Sequence, residues 1–522
     1  MGKTATMLLF LVCLTALCLV MPQQVKADAK TIVVPDDYST IKEAINAAKE
    51  GDTIFVKKGT YEEKTLDIDK SVSITAEDAE FTKLNLFPPL YSEFDEIINF
   101  TFSWYGSAII VNANDFKLSG FTINTPEITN IPGGTISIAG NKTKILSNKI
   151  IPILSVNGSY SNIEDNTLSD GVSLYGSYCK ISANNIDGSG GIHSKGLYNN
   201  ISANNVVGKD NWGIRVEGAF CLVHSNMVTK SSGMYGIYIG SNGTIVGENS
   251  VDSSEIGIAI IGSNNVVYGN LITNCGVQPS IFAPNIEPRS GAGIKASGSN
   301  IIYANYIARN VIGARINPYP ETNLTSILYH NNFIDNTFQI STQDMSYGSD
   351  SFDNGKEGNY WSDYTGEDAD GNKIGDTPYI IDDIRFDRYP LMVPFEIDSL
   401  QVDLSDWMSP PLVQLISPKN ATYVPIDLTL EFTVSKQTSW LGYSLDGETN
   451  VTITGNITLP NLSYGSHKIQ VYATDLVGHN RASETIYFSV VEPFPTPFVV
   501  ASVITVTVVG IVLLVYFKKR KH

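Results

Sequence analysis

Short runs of alternating apolar and polar residues recur through the middle of the chain, each closed by Gly, Asn or Ser. Alternation with a period of two marks strands, and no helical period runs through the same stretch. Two units keep step with each other. One is a few β-formers followed by Asn, any residue, then an apolar residue, at Asn148, Asn166, Asn184, Asn204, Asn226, Asn249, Asn270, Asn305 and Asn332. Successive Asn are 18, 18, 20, 22, 23, 21, 35 and 27 residues apart. The other is a Gly followed by an apolar-x-apolar run, at Gly191, Gly213, Gly236, Gly257, Gly293 and Gly313.

A period near twenty residues is that of a solenoid. Three short strands per coil, each pairing with its counterpart one coil on, predict an all-β, right-handed parallel β-helix over about residues 30–395; the hand follows from the preference of parallel crossovers. About eleven coils are expected. Asn is expected at the sharp corner, both because it tolerates the left-handed backbone region and because stacked Asn side chains can bond along the ladder. The Leu frame of leucine-rich repeats is missing. Open strand edges need covers, and Ser39 followed by Ile41, Ala44, Ile45 and Ala48 on one face predicts a capped helix at the first end. Strands are then expected at residues 53–56 and 71–75.

Beyond a linker at 396–410 the alternation resumes over 411–492 with turn signals between runs. It predicts a small immunoglobulin-like β-sandwich with Trp440 in its core. A Pro-rich spacer (493–497) leads to twenty uncharged residues (498–517), long enough to cross a bilayer, and a basic tail (518–522). The first 27 residues read as a signal peptide. Together these predict a type I single-pass protein in the cell membrane, with residues 28–497 outside.

Charge changes the picture next. The 522 residues carry 35 Lys+Arg and 53 Asp+Glu, a net charge of −18. So acidic a surface argues against nucleic-acid binding. After the signal peptide, Cys179, Cys221 and Cys275 remain. With no CxxC pair they are expected as buried thiols rather than as disulfides or a zinc site. Sequons at Asn99, Asn141, Asn157, Asn200, Asn242, Asn323, Asn420, Asn450, Asn456 and Asn461 are candidate glycan sites.

The segments Val34–Ile45, Gly51–Val56 and Gly59–Tyr61 resemble the opening of pectate-lyase-like right-handed β-helices. Asn359–Tyr364, Asp368–Tyr379 and Tyr389–Leu391 resemble the end of NosD-like repeat domains, the carbohydrate-binding and sugar-hydrolase type of repeat. The resemblance covers residues 30–395. It implies the fold, while the same repeats serve lyases, hydrolases, binders and passive surface proteins. The named NosD role is copper delivery. Here His193, His224, His330, His467 and His479 are scattered and Met is sparse, so no copper is expected. The tail and extra domain resemble those of archaeal surface proteins.

Two places can carry chemistry. In Asp368-Ala-Asp370-Gly-Asn372-Lys-Ile374-Gly-Asp376 oxygen ligands fall at positions 1, 3, 5 and 9, with a backbone carbonyl at 7. That spacing suits a structural Ca²⁺ ion, although Tyr379 stands where an EF-hand has its bidentate Glu. Asp363, Asp382 or Asp383 would complete the shell. The second is a stripe of outward residues on successive Gly-x-x-x strands: Ser173, His193, Arg215, Tyr238, Ala259, Lys295 and Arg315. A neighbouring row holds Tyr175, Lys195, Glu217, Ile261, Ser297 and Asn317, with Trp212 at its side. Arg forks suit carboxylates or sulfates, and Tyr or Trp can pack on sugar rings. The inserts 87–104 and 277–290 are expected to wall this groove. No carboxylate cluster recurs at the coil period, so no catalytic residue is assigned and binding of extracellular or cell-wall polysaccharide without turnover leads. A polysaccharide lyase or hydrolase, and a passive envelope or adhesion protein, remain alternatives.

Overall fold

The computed structural model describes residues 29–95, 100–127, 134–209, 212–229, 234–276, 291–316, 325–341, 350–397, 410–424, 428–436, 438–459, 462–475, 480–492 and 496–520, with 92–105 and 496–503 as backbone only. The segment read as a signal peptide, most of the expected linker and spacer, the insert 277–290, and Asn99, Asn317, Asn323 and Asn461 lie outside the described residues.

Residues 31–361 wind into a parallel β-solenoid of about twelve turns, of the right-handed type that parallel crossovers favour. Its faces are three parallel sheets. Sheet 1 (13 strands) runs from Thr31–Val34 to Ile327–Tyr329 and sheet 2 (13 strands) from Gly59–Glu63 to Tyr360–Trp361. Sheet 3 (12 strands) runs from Leu66–Ile68 to Phe338–Ser341. The register is one residue against its counterpart on the next coil, as in Ile163↔Ile181↔Ile201↔Val223. Inward Ile, Val and Leu therefore stack on themselves in one core from Val34 to Trp361. The strand expected at 71–75 runs Ser73–Ala76.

The corner between sheets 1 and 2 holds a continuous side-chain ladder. Asn148, Asn166, Asn184, Asn204, Asn226, Asn249, Asn270, Asn305, Asn331 and Asn359 each accept on Oδ1 from the coil before. Each Nδ2 donates to a main-chain carbonyl and, from Asn148 to Asn331, to the next Asn; Asn226 Nδ2, for example, reaches Ile201 O at 2.8 Å and Asn249 Oδ1 at 2.9 Å. Two expectations are corrected here. The ladder member on the ninth coil is Asn331, not Asn332, which instead bonds Phe395. The left-handed residue is not the Asn but the one before it: Ser147, Asp165, Ala183, Ala203, Ser225 and Glu248 have φ between 53° and 57°. Asn is kept for its hydrogen bonds, which anchor a corner whose strained residue varies. At the other corners Cys179, Cys221 and Cys275 are buried free thiols, and the main-chain amides of Cys179 and Cys275 donate to Asn199 and Asn310 Oδ1, as those of ladder members donate to the next Asn.

The first end is covered by helix α1 (Ile41–Ala47), which buries Ile41, Ala44 and Ile45. Its N-cap is Thr40 rather than Ser39, in a capping box with Glu43, while Ser39 bonds the Glu43 carboxylate. At the other end Phe333, Trp361 and Tyr379 stack at 4.5 and 4.3 Å. The Asn ladder stops on buried Asp387, whose Oδ2 accepts from Asn359 N (2.7 Å) and Trp361 Nε1 (2.9 Å).

Residues 413–490 form two small, mainly antiparallel sheets around Leu430, Phe432, Tyr443, Ile469, Val471 and Phe488. Trp440 is not in that core. Its strand, Thr438–Leu445, buries Tyr443, and a period of two puts residue 440 on the opposite face, where Trp440 Nε1 bonds Thr452 Oγ1. Helix α2 (Thr496–Lys519) follows, and its side chains from Ile504 to Lys519 are exposed apart from Gly510. Among the residues with described side chains no helix is long and apolar enough to cross a membrane; in α2 these are only the last sixteen.

Candidate functional site

The solenoid register turns the expected stripe into a physical column. On the outer face of sheet 3, Ser173, His193, Arg215, Tyr238, Ala259, Lys295, Arg315 and Ser341 are successive partners. Neighbouring side chains stand about 4.8 Å apart, the spacing of paired strands. A second row, just past the strand ends, runs Asn157, Tyr175, Lys195, Glu217, as the amide bonds Tyr175 N to Val156 O and Lys195 N to Leu174 O require.

The two rows meet at Glu217. Its carboxylate is held by the Arg215 guanidinium, by His193 Nε2 at 3.1 Å and, at 3.8 Å, by Lys195 Nζ. All four side chains are partly open, at 25% to 44% exposure. Burial pushes the Glu217 carboxyl up, but the hydrogen bond from His193 and the charge of Arg215 outweigh it, so the group sits below its ordinary value. Burial pulls His193 below its ordinary value, aided by Arg215 and Lys195, against the bond to Glu217. A neutral imidazole beside an ionised carboxylate must donate from Nε2, which leaves Nδ1 as an open acceptor.

Aromatic rings frame this cluster. Arg215 Cζ lies 4.3 Å from the Trp212 ring centre and 5.6 Å from that of Tyr238. Tyr238 in turn packs edge-on against Tyr235 at 5.2 Å. The Tyr238 ring leans along its strand over Gly240, where an added Cβ would come within 2.9 Å of it, so only Gly lets the ring lie down on the sheet. The result is a low aromatic floor beside a cationic cluster. Trp212 Nε1 and Arg215 Nε are buried donors without a hydrogen-bond partner among the described residues.

The rest of the stripe behaves differently. Lys295 is half-buried, but Ala259 (0% exposed) and Arg315 (3% exposed) are closed off from solvent. An outward position on a strand is thus not always a solvated one, and Arg315 is corrected from a ligand contact to a buried charge. The insert at 87–104 is a hairpin (Leu90–Asp95 with Phe100–Tyr105) that joins sheet 3 beside Ile110, four strands before His193. That is roughly 19 Å away at the usual strand spacing, too far to wall the cluster. Lys209 pairs with Asp187 at 2.9 Å on sheet 2. Sequence reasoning placed Glu217 and Lys195 in the second row but did not foresee that the charges converge. It missed Tyr235 and Gly240, although the Tyr238-x-Gly240 spacing was there to be read.

In the acidic loop the oxygens turn onto the loop's own amides. Asp368 accepts from Gly371, Asn372 and Lys373, Asp370 and Asn372 bond each other, Asn372 Oδ1 accepts from Ile374, and Asp376 accepts from Ala369. Asp363 bonds Tyr379 and Gln339, and Asp382 pairs with Arg385, so these two face other partners. Among the described residues no group of three or more His, Cys, Asp or Glu that could hold a metal forms. The described histidines stand apart, each with its own partner: Glu217 for His193, Ser225 for His224, Glu357 for His330 and Asp446 for His467.

No curated protein matches the sequence. Among solved structures the chain is similar to a mannuronic acid specific polysaccharide family 6 lyase from human gut microbiota (13% identity, 60% of this chain and 84% of that one, TM-score 0.31). It is also similar to the PL6 family alginate lyase AlyGC (14%, 76% and 62%, 0.33) and to the Dettilon tailspike protein (12%, 86% and 91%, 0.37). Residues 221–366 match the family described as "Periplasmic copper-binding protein (NosD)". That match spans less than a third of the chain.

Proposed function

We propose that this chain is a membrane-anchored cell-surface protein that binds polysaccharide along the outer face of sheet 3. One observation carries the reading: Glu217 gathers His193, Lys195 and Arg215 beside Trp212 and the flat ring of Tyr238. Such a cluster offers forked donors for acidic or hydroxyl groups next to an apolar floor for sugar rings. Lys295 extends the cationic row three strands further on. The small β-domain at 413–490, read as immunoglobulin-like, serves as a spacer. Helix α2 serves as the anchor, a role supported by its exposed apolar side chains and its terminal Lys518 and Lys519. A structural Ca²⁺ at Asp368, Asp370, Asn372, Ile374 and Asp376 belongs to the same reading and requires the carboxylates to release the loop amides.

The enzyme reading is kept for one observation: His193, which burial holds below its ordinary value, bonds Glu217 through Nε2, an arrangement that suits a general base. The test is incubation of residues 28–497 with acidic and neutral polysaccharides, with and without Ca²⁺. Intact polymer that co-elutes with the protein, and ceases to with Arg215→Ala, is the expected result. Shortened polymer with new ultraviolet absorbance identifies a lyase, and shortening without it a hydrolase. Intact polymer with no co-elution leaves a passive surface role.

A further inference from the structure

The sequon at Asn157 lies at the head of the groove. Asn157 follows the sheet 3 strand Ile153–Val156 and is exposed. Its amide donates to Ile138 O at 2.7 Å, and that of Tyr175 to Val156 O at 2.8 Å, so the two residues are direct partners on adjacent coils. Tyr175 is 47% exposed, with Lys195 Nζ 5.4 Å from its ring centre. Beside this pair the first row holds only Ser155 and Ser173, in register with each other and half-buried. An exposed aromatic ring and two small hydroxyl side chains thus form a shallow bed one strand spacing from the Asn157 amide.

Other sequons lack this setting. Asn200 is half-buried within a paired strand and its Oδ1 is buried without a hydrogen-bond partner. Asn141, Asn242 and Asn456 use Oδ1 to hold the amides of Ser159, Ser263 and Phe432. Asn157 is the exposed sequon in the same row as Tyr175, Lys195 and Glu217.

We propose that Asn157 carries an N-linked glycan whose first sugar packs on Tyr175 and closes the early end of the sheet 3 groove. The inference rests on the surface-protein reading above. In the transfer, Nδ2 bonds to C1 of the first sugar while the C1–O bond to a lipid-linked diphosphate donor breaks; the diphosphate leaves and Nδ2 loses a proton. The apolar side of the sugar then covers ring surface that would otherwise face water. The free stretch of the groove begins at His193.

The test uses the full chain, expressed in a host that N-glycosylates secreted proteins and purified in detergent. Glycopeptide mass spectrometry is expected to find Asn157 occupied and Asn200 bare. Asn157 bare, whether or not other sequons are occupied, overturns the site. Removing the glycan enzymatically is expected to lower Tm by a few degrees in the parent chain and in Tyr175→Phe, and not in Tyr175→Ala. An equal shift in Tyr175→Ala overturns the packing on Tyr175. Polysaccharide affinity is read before and after removal. A gain of about threefold or more supports the closed groove. Unchanged affinity overturns the closure, while loss of all polysaccharide binding in both forms tells against the groove itself and leaves the occupancy result standing.

Discussion

The inner corner and the outer face of this solenoid are built by one repeat, yet they obey opposite rules. At the corner the same residue returns coil after coil, because the hydrogen-bond partner of each Asn is the next copy of itself. On the outer column of sheet 3 the residue changes at every step, from Ser173 through His193, Arg215 and Tyr238 to Ala259. Repetition here marks what the fold needs, and departure from repetition marks what it is free to use. The charged cluster sits where the column departs most.

The strongest way to break this contrast is a change at the corner. Asn226→Ala deprives Asn204 N and Nδ2 of their acceptor and Asn249 Oδ1 of a donor, all of them buried. A loss of about 3–5 kcal/mol is expected in denaturant unfolding, from several polar groups left unsatisfied at once. A loss below about 1 kcal/mol would show the ladder to be incidental.

The end of the ladder gives the next effect. Burial raises the Asp387 carboxyl from 3.8 to about 6, against the donors on Asn359, Trp361 and Tyr389. A folded value above the unfolded one means stability that is complete below about pH 4 and lost as pH rises through 6. The amount is about 3 kcal/mol. Asp387→Asn is expected to flatten that slope when Tm is followed from pH 4 to 7.

Within the outer column the comparison sharpens. Arg315 is buried and Arg215 is partly open. Arg315→Ala is expected to cost about 2–3 kcal/mol, because truncating a long buried side chain leaves a cavity. Arg215→Ala is expected to cost less than about 1 kcal/mol, because partly exposed ion pairs contribute little to stability, yet to weaken polysaccharide binding about tenfold. The reverse ranking would move the binding face toward Arg315. The smallest effect is expected at the acidic loop, where Asp368→Ala should abolish any Ca²⁺ heat in calorimetry and leave the solenoid Tm within a few degrees. Retention of that heat would place the ion elsewhere.

Much of the fold could be read from one strand of evidence, the Asn period, since a ladder needs its partner at a fixed spacing. The errors fell where that rule is silent. Asn331 and Asn332 are adjacent, and only the register chooses between them. Trp440 looked like a core residue by size, but parity with Tyr443 turned it outward. The stripe could be listed from strand parity alone, whereas the burial of Ala259 and Arg315 could not.

The sequence by itself determined the solenoid, its three-strand coils and the order of residues along the outer column. Those follow from local alternation and from a repeat that pairs each coil with the next. Only the tertiary structure decided that His193, Lys195 and Arg215 converge on Glu217 while Arg315 is shut away. Convergence depends on side-chain directions across different coils, and burial depends on what packs over a face. Neither is carried by the period of the chain.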